Sequence, residues 1–235
     1  ADRNPGQPEQ GRLMDLTTID AMISSEDPSR RREAAALLAR AGGMDACIRL
    51  ERLLLDSNSG VRDAAQNSLI LVGGRPAVER MIDLLRHDEA AVRNMAIDIL
   101  RQIGIDGIDL LHRAAKDEDD NVRLFVLDIL GSIGSHESSR ILIEGLYDSN
   151  PNVRNAAVIS LGTLGDPEAF DHLKKLVNDE EWIRFSVIES LARIPHEGVV
   201  DFLLQELSRW SDEEVTVSAI LEALETIRSR EAVPA

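Results

Sequence analysis

The chain is poor in aromatic residues, with four Phe, two Trp and one Tyr, or 3 % of 235 residues. An interior short of rings must be aliphatic and alanine-rich, which suits helices packed on helices better than a β-sandwich. Cysteine is equally scarce: Cys47 stands alone, so no intramolecular disulfide can form, and a cytoplasmic location is the expectation. The start at Ala1 without Met equally fits a fragment or a processed export product. No apolar run approaches the roughly 18 residues that span a bilayer, so membrane insertion is not expected. Lysine occurs only at positions 116, 174 and 175, and the formal net charge is -16. Nucleic-acid binders need clustered cations to displace counterions from phosphates, so this balance argues against nucleic acid and against anionic membrane surfaces. What remains is 43 % hydrophobic content, ample for a globular core.

The first eleven residues carry two prolines, two glycines and no apolar side chain larger than alanine, and are expected to be a disordered lead-in. Beyond them one segment recurs. Aligned on an arginine, its copies fall at Arg32, Arg62, Arg93, Arg123, Arg154 and Arg184, separated by 30, 31, 30, 31 and 30 residues. A period that regular is the signature of a helical-repeat array. Three positions after each arginine comes Ala35, Ala65, Ala96, Val126, Ala157 or Val187, and seven after it comes Leu69, Leu100, Leu130, Leu161 or Leu191, with Ala39 in the first copy. With the residue before the arginine (Val61, Val92, Val122, Val153, Ile183) these form one apolar stripe at helical spacing, termed the B helix. Carboxylate-rich turns precede each B helix, such as Asp148-Ser-Asn-Pro, and suit N-capping. Gly73-Gly74, Gly104, Gly134 and Gly165 follow and are expected to end the helix in the left-handed conformation.

A second apolar-periodic segment, the A helix, lies between each glycine and the next acidic turn: Ala77 to Leu85, Ile108 to Ala115, Ile141 to Leu146, Phe170 to Val177 and Val199 to Leu207. Two helices in about 31 residues make a hairpin that cannot bury its apolar face alone, so neighbours must stack. Adding Leu13–Ser24 with Arg30–Ala41 at the start, and Val199–Trp210 with Glu214–Arg228 at the end, gives seven hairpins. The fold class expected is all-α, an α-α superhelix, as one solenoid over residues 12–229 with a frayed tail at 230–235.

The combination of acidic turn, Val-Arg-x-x-Ala-x-x-x-Leu and glycine resembles the HEAT-like repeat family, particularly its short bacterial and archaeal form also found in phycobilisome-lyase-type proteins. The resemblance implies that the repeated Asp and Arg side chains tie adjacent hairpins together, which is favoured here over a phosphate-gripping arginine column. Deoxyhypusine hydroxylase, of the same architecture, builds a di-iron site from His-Glu pairs that directly follow the B-helix arginine. Here those slots hold Asp63-Ala64, Asn94-Met95, Leu124-Phe125, Asn155-Ala156 and Phe185-Ser186. The two His-Glu dipeptides, His136-Glu137 and His196-Glu197, sit instead at A-helix starts, two repeats or about 20 Å apart. Donors to one metal must all lie within about 2 Å of it, so no metal site is expected. His87, His112 and His172 fall in non-equivalent places near A-helix ends, and Cys47 reads as a small buried thiol.

The surface expected to vary with function is the outward, concave face of the B helices, reached by residues one, five and eight or nine after the arginine. In the middle and C-terminal repeats it carries Leu124, Asn155, Ile159 and Phe185 beside Asp98, Asp128 and Glu189. Apolar residues flanked by carboxylates suit a protein or peptide with basic and apolar side chains; equally, the apolar three could fill gaps between neighbouring B helices. Trp182 replaces Gly60, Ala91, Asn121 and Asn152 at a turn slot and is a candidate aromatic anchor, or a cover for the edge of the sixth hairpin. The function expected is a non-enzymatic scaffold or regulatory adaptor without a cofactor. The alternative is a phycobilin-lyase-like or chaperone-like factor acting on a cofactor-bearing protein, which rests on the family resemblance.

Overall fold

The computed structural model describes residues 16–231; the expected lead-in 1–11 and positions 232–235 of the expected tail lie outside the described residues. All regular elements among the described residues are helical. The odd-numbered helices are the A helices: α1 (Leu16–Ile23), α3 (Gly43–Leu54), α5 (Gly74–Leu84), α7 (Ile108–Ala114), α9 (Ser139–Gly145), α11 (Phe170–Leu173) and α13 (Gly198–Arg209). The even-numbered ones are the B helices: α2 (Pro28–Ala41), α4 (Ser59–Val72), α6 (Ala90–Ile103), α8 (Asp120–Ile133), α10 (Pro151–Leu164), α12 (Glu181–Leu191) and α14 (Glu214–Glu231). They pair into seven hairpins, the all-α helical-repeat fold that the period implies. Among the described residues no helix is long and apolar enough to cross a membrane. The chain divides into two compact units, Ala1–Arg80 and Met81–Ala235, with the division inside α5.

In the first unit α2 packs against α1, α3 and α4. In the second, α8 lies between α6 and α10, and α12 between α10 and α14. The B-helix stripe is the core of both: Val61, Ala65, Leu69, Val92, Ala96, Leu100, Val122, Val126, Leu130, Val153, Ala157, Leu161, Ile183, Val187 and Leu191 are all buried. Each Val, Leu or Ile among them contributes about 1.5–3 kcal/mol relative to exposure, and each Ala less. Within the second unit adjacent B helices meet through small residues. A methyl group on Gly131 would collide with Ser160, and one on Gly162 would come within 2.6 Å of the Ser190 Cβ. The buried Ser160 hydroxyl satisfies itself by donating to the Leu127 carbonyl at 2.9 Å.

Side chains of Asp27, Asn58, Asp119 and Asn150 cap the B helices, accepting from backbone N–H groups of the first turn. Gly134 and Gly165 end α8 and α10 in the left-handed region, with φ of 70° and 67°. Gly104 departs from the expectation: its φ is -61°, and the chain continues into a 3-10 turn over Gly104–Gly107. The glycine lies in close packing: a Cβ there would come within 2.7 Å of the Ile133 Cδ1 and 2.9 Å of the Leu111 Cδ1, so these side-chain ends would have to shift. At the C-terminal end the last helix runs beyond Arg228 to Glu231, and the Arg230 guanidinium donates to the Ala192 carbonyl at 3.0 Å.

The repeated arginine is a clamp between consecutive turns. The Arg123 Nη1 donates to the carbonyls of Asp117 and Glu118, six and five residues upstream in its own turn. Its Nε and Nη2 grip both carboxylate oxygens of Asp148, in the next turn, at 2.8 and 2.9 Å. Arg154 repeats this with Asp148 and Ser149 upstream and Asp179 downstream, the latter at 2.8 Å twice. Each clamped aspartate also orders its own turn, as when the Asp148 Oδ1 accepts the Asn150 N–H at 2.9 Å. In the first repeat the clamp is Arg31, not the Arg32 on which the sequence alignment rests. Arg31 holds the Ser25 and Glu26 carbonyls and the Asp56 carboxylate, while Arg32 turns to Ser29. The corrected register places Leu38, fully buried, seven residues after the arginine and removes the anomaly at Ala39.

Three positions break the pattern. Arg93 holds the His87 and Asp88 carbonyls of its own turn, but the Asp117 carboxylate of the next turn is taken by Arg86. His87 stands in the aspartate slot of its turn, where its Nδ1 accepts the Glu89 N–H at 3.1 Å. Arg184 pairs with Glu213 at 2.8 Å and stacks over the Trp210 ring with its guanidinium carbon 3.8 Å from the centroid. The Arg31, Arg123 and Arg154 guanidinium groups, by hydrogen bonding, hold the carboxyls of Asp56, Asp148 and Asp179 below the ordinary carboxylate range. Because these groups bind protons less readily folded than unfolded, their stabilisation is present above about pH 4 and is lost as pH falls through the depressed folded values. The Arg123–Asp148 side chains are only 13 % and 14 % exposed, so the pair is not an idle surface contact. Asp148→Asn is expected to lower stability at pH 7 by about 2 kcal/mol. Urea melts repeated at descending pH should show that deficit shrinking as the wild-type carboxylate protonates, and a pH-independent deficit would contradict the clamp.

Candidate functional site

All the concave-face residues singled out from the sequence lie in the second unit, on α6, α8, α10 and α12. Leu124, Asn155 and Phe185 occupy equivalent first-turn positions of α8, α10 and α12, and all three are half-buried. Ile159, one turn further along α10, is 45 % exposed. The face is therefore apolar in part, with Leu124 and Phe185 sunk between helices and Ile159 presented to solvent.

The carboxylates of this face do not stand alone. Arg101 donates to Asp98 on its own helix at 3.5 Å and to Asp128 across on α8 at 2.7 Å. Arg193 donates to Glu189 at 2.5 Å. The sequence reading placed positions eight and nine after the repeat arginine on this face without naming their occupants. Those occupants are Arg101, eight after Arg93, and Arg193, nine after Arg184. The face thus alternates carboxylate and guanidinium groups and is not a uniformly acidic strip.

Asn155 adds an unusual feature: its Oδ1 is buried and has no hydrogen-bond partner among the described residues. Such an acceptor costs about 1–3 kcal/mol when left unmatched. Phe185 and Glu189, with Arg193, also line a groove of about 400 Å³ between α12 and α14, whose other walls are Ile188, Ala192, Ala219, Glu222, Ala223 and Thr226.

Trp182 is 40 % exposed, and its Nε1 donates to the Glu180 carboxylate at 2.7 Å. Its position is not a turn slot as expected, since Gly60, Ala91, Asn121, Asn152 and Trp182 all sit within the first turn of a B helix. The capping residues Asn58, Asp119 and Asn150 lie two places earlier, inside the acidic turns that the sequence marks for capping. Trp210 is half-buried, donates to Glu206 at 2.8 Å and carries Arg184 on its face.

The histidines serve local structure. His136 and Glu137 are both exposed at the start of the fifth A segment, whereas His196 stacks on Phe170 with centroids 4.2 Å apart and accepts the Gly198 N–H at 3.0 Å. His112 meets the Ser138 hydroxyl at 3.1 Å, and the Tyr147 hydroxyl meets His172 at 2.8 Å. Among the described residues no three His, Cys, Asp or Glu side chains are grouped to hold a metal ion. Cys47 is fully buried, and desolvation pushes its thiol above the ordinary value, which disfavours the nucleophilic thiolate.

An acceptor-lined, half-apolar face on stacked helical hairpins defines a repeat protein built around a surface. The chain belongs to the HEAT repeat family, whose model matches residues 16–101, 78–149, 108–192 and 139–225. Among curated relatives it is similar to the "Uncharacterized phycocyanin operon protein Z" of Pseudanabaena tenuis, with 24 % identity over 194 residues covering 77 % of this chain and 96 % of the relative. It is also similar to the "Bilin biosynthesis protein PecF" of a Nostoc species, with 26 % identity over 152 residues covering 58 % of this chain and 88 % of the relative. A solved structure of the complex of CpcE and CpcF of phycocyanin lyase, from Nostoc, is matched over 97 % of this chain and all of that chain (100 %), at 19 % identity and a TM-score of 0.36. The expectation of a chain without enzymatic activity is corrected by the second of these matches, because sequence similarity extends over most of a bilin biosynthesis protein.

Replacing the buried, unmatched amide of Asn155 with an apolar group of similar size should relieve its desolvation penalty. Asn155→Leu is expected to stabilise the isolated chain by about 1 kcal/mol in urea denaturation; a loss of stability would show that the amide is matched in solution.

Proposed function

We propose that this chain is a lyase-like or chaperone-like factor that acts on a cofactor-bearing protein, with an open-chain tetrapyrrole as the cofactor. The observation that carries this reading is the sequence match to two proteins of phycocyanin and bilin context along 96 % and 88 % of their lengths. A match that long covers the arrangement of repeats, not a single hairpin.

The surface proposed to hold the partner is the B-helix face of α6 to α12, with Asp98, Leu124, Asp128, Asn155, Ile159, Phe185 and Glu189, and with Trp182 as an anchor at its edge. Several features support it. Ile159 and Trp182 are exposed large apolar groups, and such groups gain most from being covered. The alternating Asp98, Arg101, Asp128 and Glu189, Arg193 sets can exchange their mutual ion pairs for pairs with a partner, which favours specificity over raw affinity. The guanidinium groups suit the propionate carboxylates of a tetrapyrrole, and the carboxylates suit basic side chains of its carrier.

The test is reconstitution. The purified chain is incubated with a free bilin and a bilin-lacking phycobiliprotein, and covalently attached chromophore is read from its absorbance after acid–urea denaturation. The expected result is faster or more complete attachment, or protection of the acceptor from aggregation, relative to the same mixture without the chain. No bound bilin, no bound acceptor and no change in attachment would overturn the reading. Asp98→Lys, Asp128→Lys and Glu189→Lys combined should weaken acceptor binding at least about tenfold and reduce its salt dependence. Unchanged affinity in that triple variant would move the contact surface elsewhere on the chain.

A further inference from the structure

Along α8, α10 and α12 the B helices touch through a repeated small pair, eight residues after one arginine and six after the next: Gly131 against Ser160, then Gly162 against Ser190. One step on, the corresponding residue is Ala192, eight after Arg184 and immediately past the end of α12. It has no glycine to let the next helix approach, and a groove of about 400 Å³ opens there between α12 and α14. Its floor is apolar, made by Phe185, Ile188, Ala192, Ala219 and Ala223. Alanines at 219 and 223, one helical turn apart on α14, keep it open on that side. Glu189 and Glu222 stand at its walls, and a second hollow lined by Glu222 and Glu225 continues along α14. The Glu222 and Glu225 side chains make no ion pair among the described residues, and Glu189 has its one partner in Arg193. The second hollow is also lined by Arg230, whose guanidinium donates to the Ala192 carbonyl at 3.0 Å, so three carboxylates against Arg193 and Arg230 leave the rim net negative, on a chain already at -16.

We infer that the α12/α14 groove seats one amphipathic helical segment of a partner protein, with aliphatic side chains on one face and Lys or Arg flanking it. Two aliphatic side chains one turn apart fill a space of this size, and flanking cations reach Glu189 and Glu222. A neutral or acidic segment would leave those carboxylates desolvated beside apolar groups, which is unfavourable. The inference rests on the reading that the B face handles a partner protein, but it does not depend on that partner carrying a bilin.

The test uses the full chain and fluorescein-labelled synthetic helical peptides, read by fluorescence anisotropy at about 0.15 M salt. One peptide carries Leu and Lys at helical spacing, a second replaces Leu by Ser, and a third replaces Lys by Glu. Binding of the Leu/Lys peptide at least about tenfold tighter than either control is expected. Ala219→Leu, which fills the groove from a half-buried position, and Glu222→Lys with Glu225→Lys should each weaken it by about tenfold or more. Glu137→Lys with Asp201→Lys, the same charge change on exposed A-segment positions, should leave it unchanged. Circular dichroism melts establish that each variant is folded. Affinity unaffected by filling the groove, or equally reduced by the distant charge reversal, would overturn the proposal. If bilin attachment fails while the peptide results hold, the groove stands and the cofactor reading falls; the reverse pattern removes the groove alone.

Discussion

The bidentate grip of an arginine on the aspartate of the following turn, made by Arg31 on Asp56, Arg123 on Asp148 and Arg154 on Asp179, connects every level of this structure. A hairpin of two short helices exposes too much apolar surface to persist alone, so burial supplies the drive to stack but no unique register. The clamp supplies register. One guanidinium satisfies two carbonyls left open by its own turn and both oxygens of the next turn's carboxylate, and a planar fork can do this in only one arrangement. Lysine, with a single flexible ammonium, could not, which gives the arginine at these positions a structural reason.

Where the clamp repeats faithfully, α8, α10 and α12 close on one another through glycine and serine. Where it changes, the packing changes with it. Arg184 finds Glu213 and the Trp210 ring in place of an aspartate fork, the glycine becomes Ala192, and the α12/α14 groove appears. The regular part of the chain is thus devoted to holding helices in register, and the openings that a partner could use occur where regularity lapses.

The fold was legible because it is written in a period. The valine, alanine and leucine of each B helix bury as the spacing demands, and the seven hairpins follow from counting. The errors arose where a local choice needed geometry. Arg31 and Arg32 are both arginines, and only the distance back to Ser25 tells which one clamps. Gly104 looks like every other helix-ending glycine until its backbone is seen to stay right-handed, with the ends of Ile133 and Leu111 packed close against it. Asp98, Ile159 and Glu189 of the candidate face are exposed on B helices, as helical spacing expects, but the spacing does not show which cations meet its carboxylates. Arg101 and Arg193 lie at face positions that spacing identified, yet their pairing with Asp98, Asp128 and Glu189 depends on side-chain reach between helices. The groove beside α14 was invisible because the last repeat lacks the arginine on which the alignment rests. The expected absence of enzymatic activity rests on a lack of familiar catalytic motifs, and the similarity to a bilin biosynthesis protein overturns it.

The central claim is that the B-helix face of the second unit, and not the A-helix side, meets the partner. Hydroxyl-radical footprinting of the chain with and without a bilin-lacking phycobiliprotein tests it most directly. The account predicts reduced oxidation at Leu124, Ile159, Phe185 and Trp182, with Tyr147 and Leu204 on the A helices and their turns unchanged. Protection confined to Tyr147 and Leu204 would contradict it.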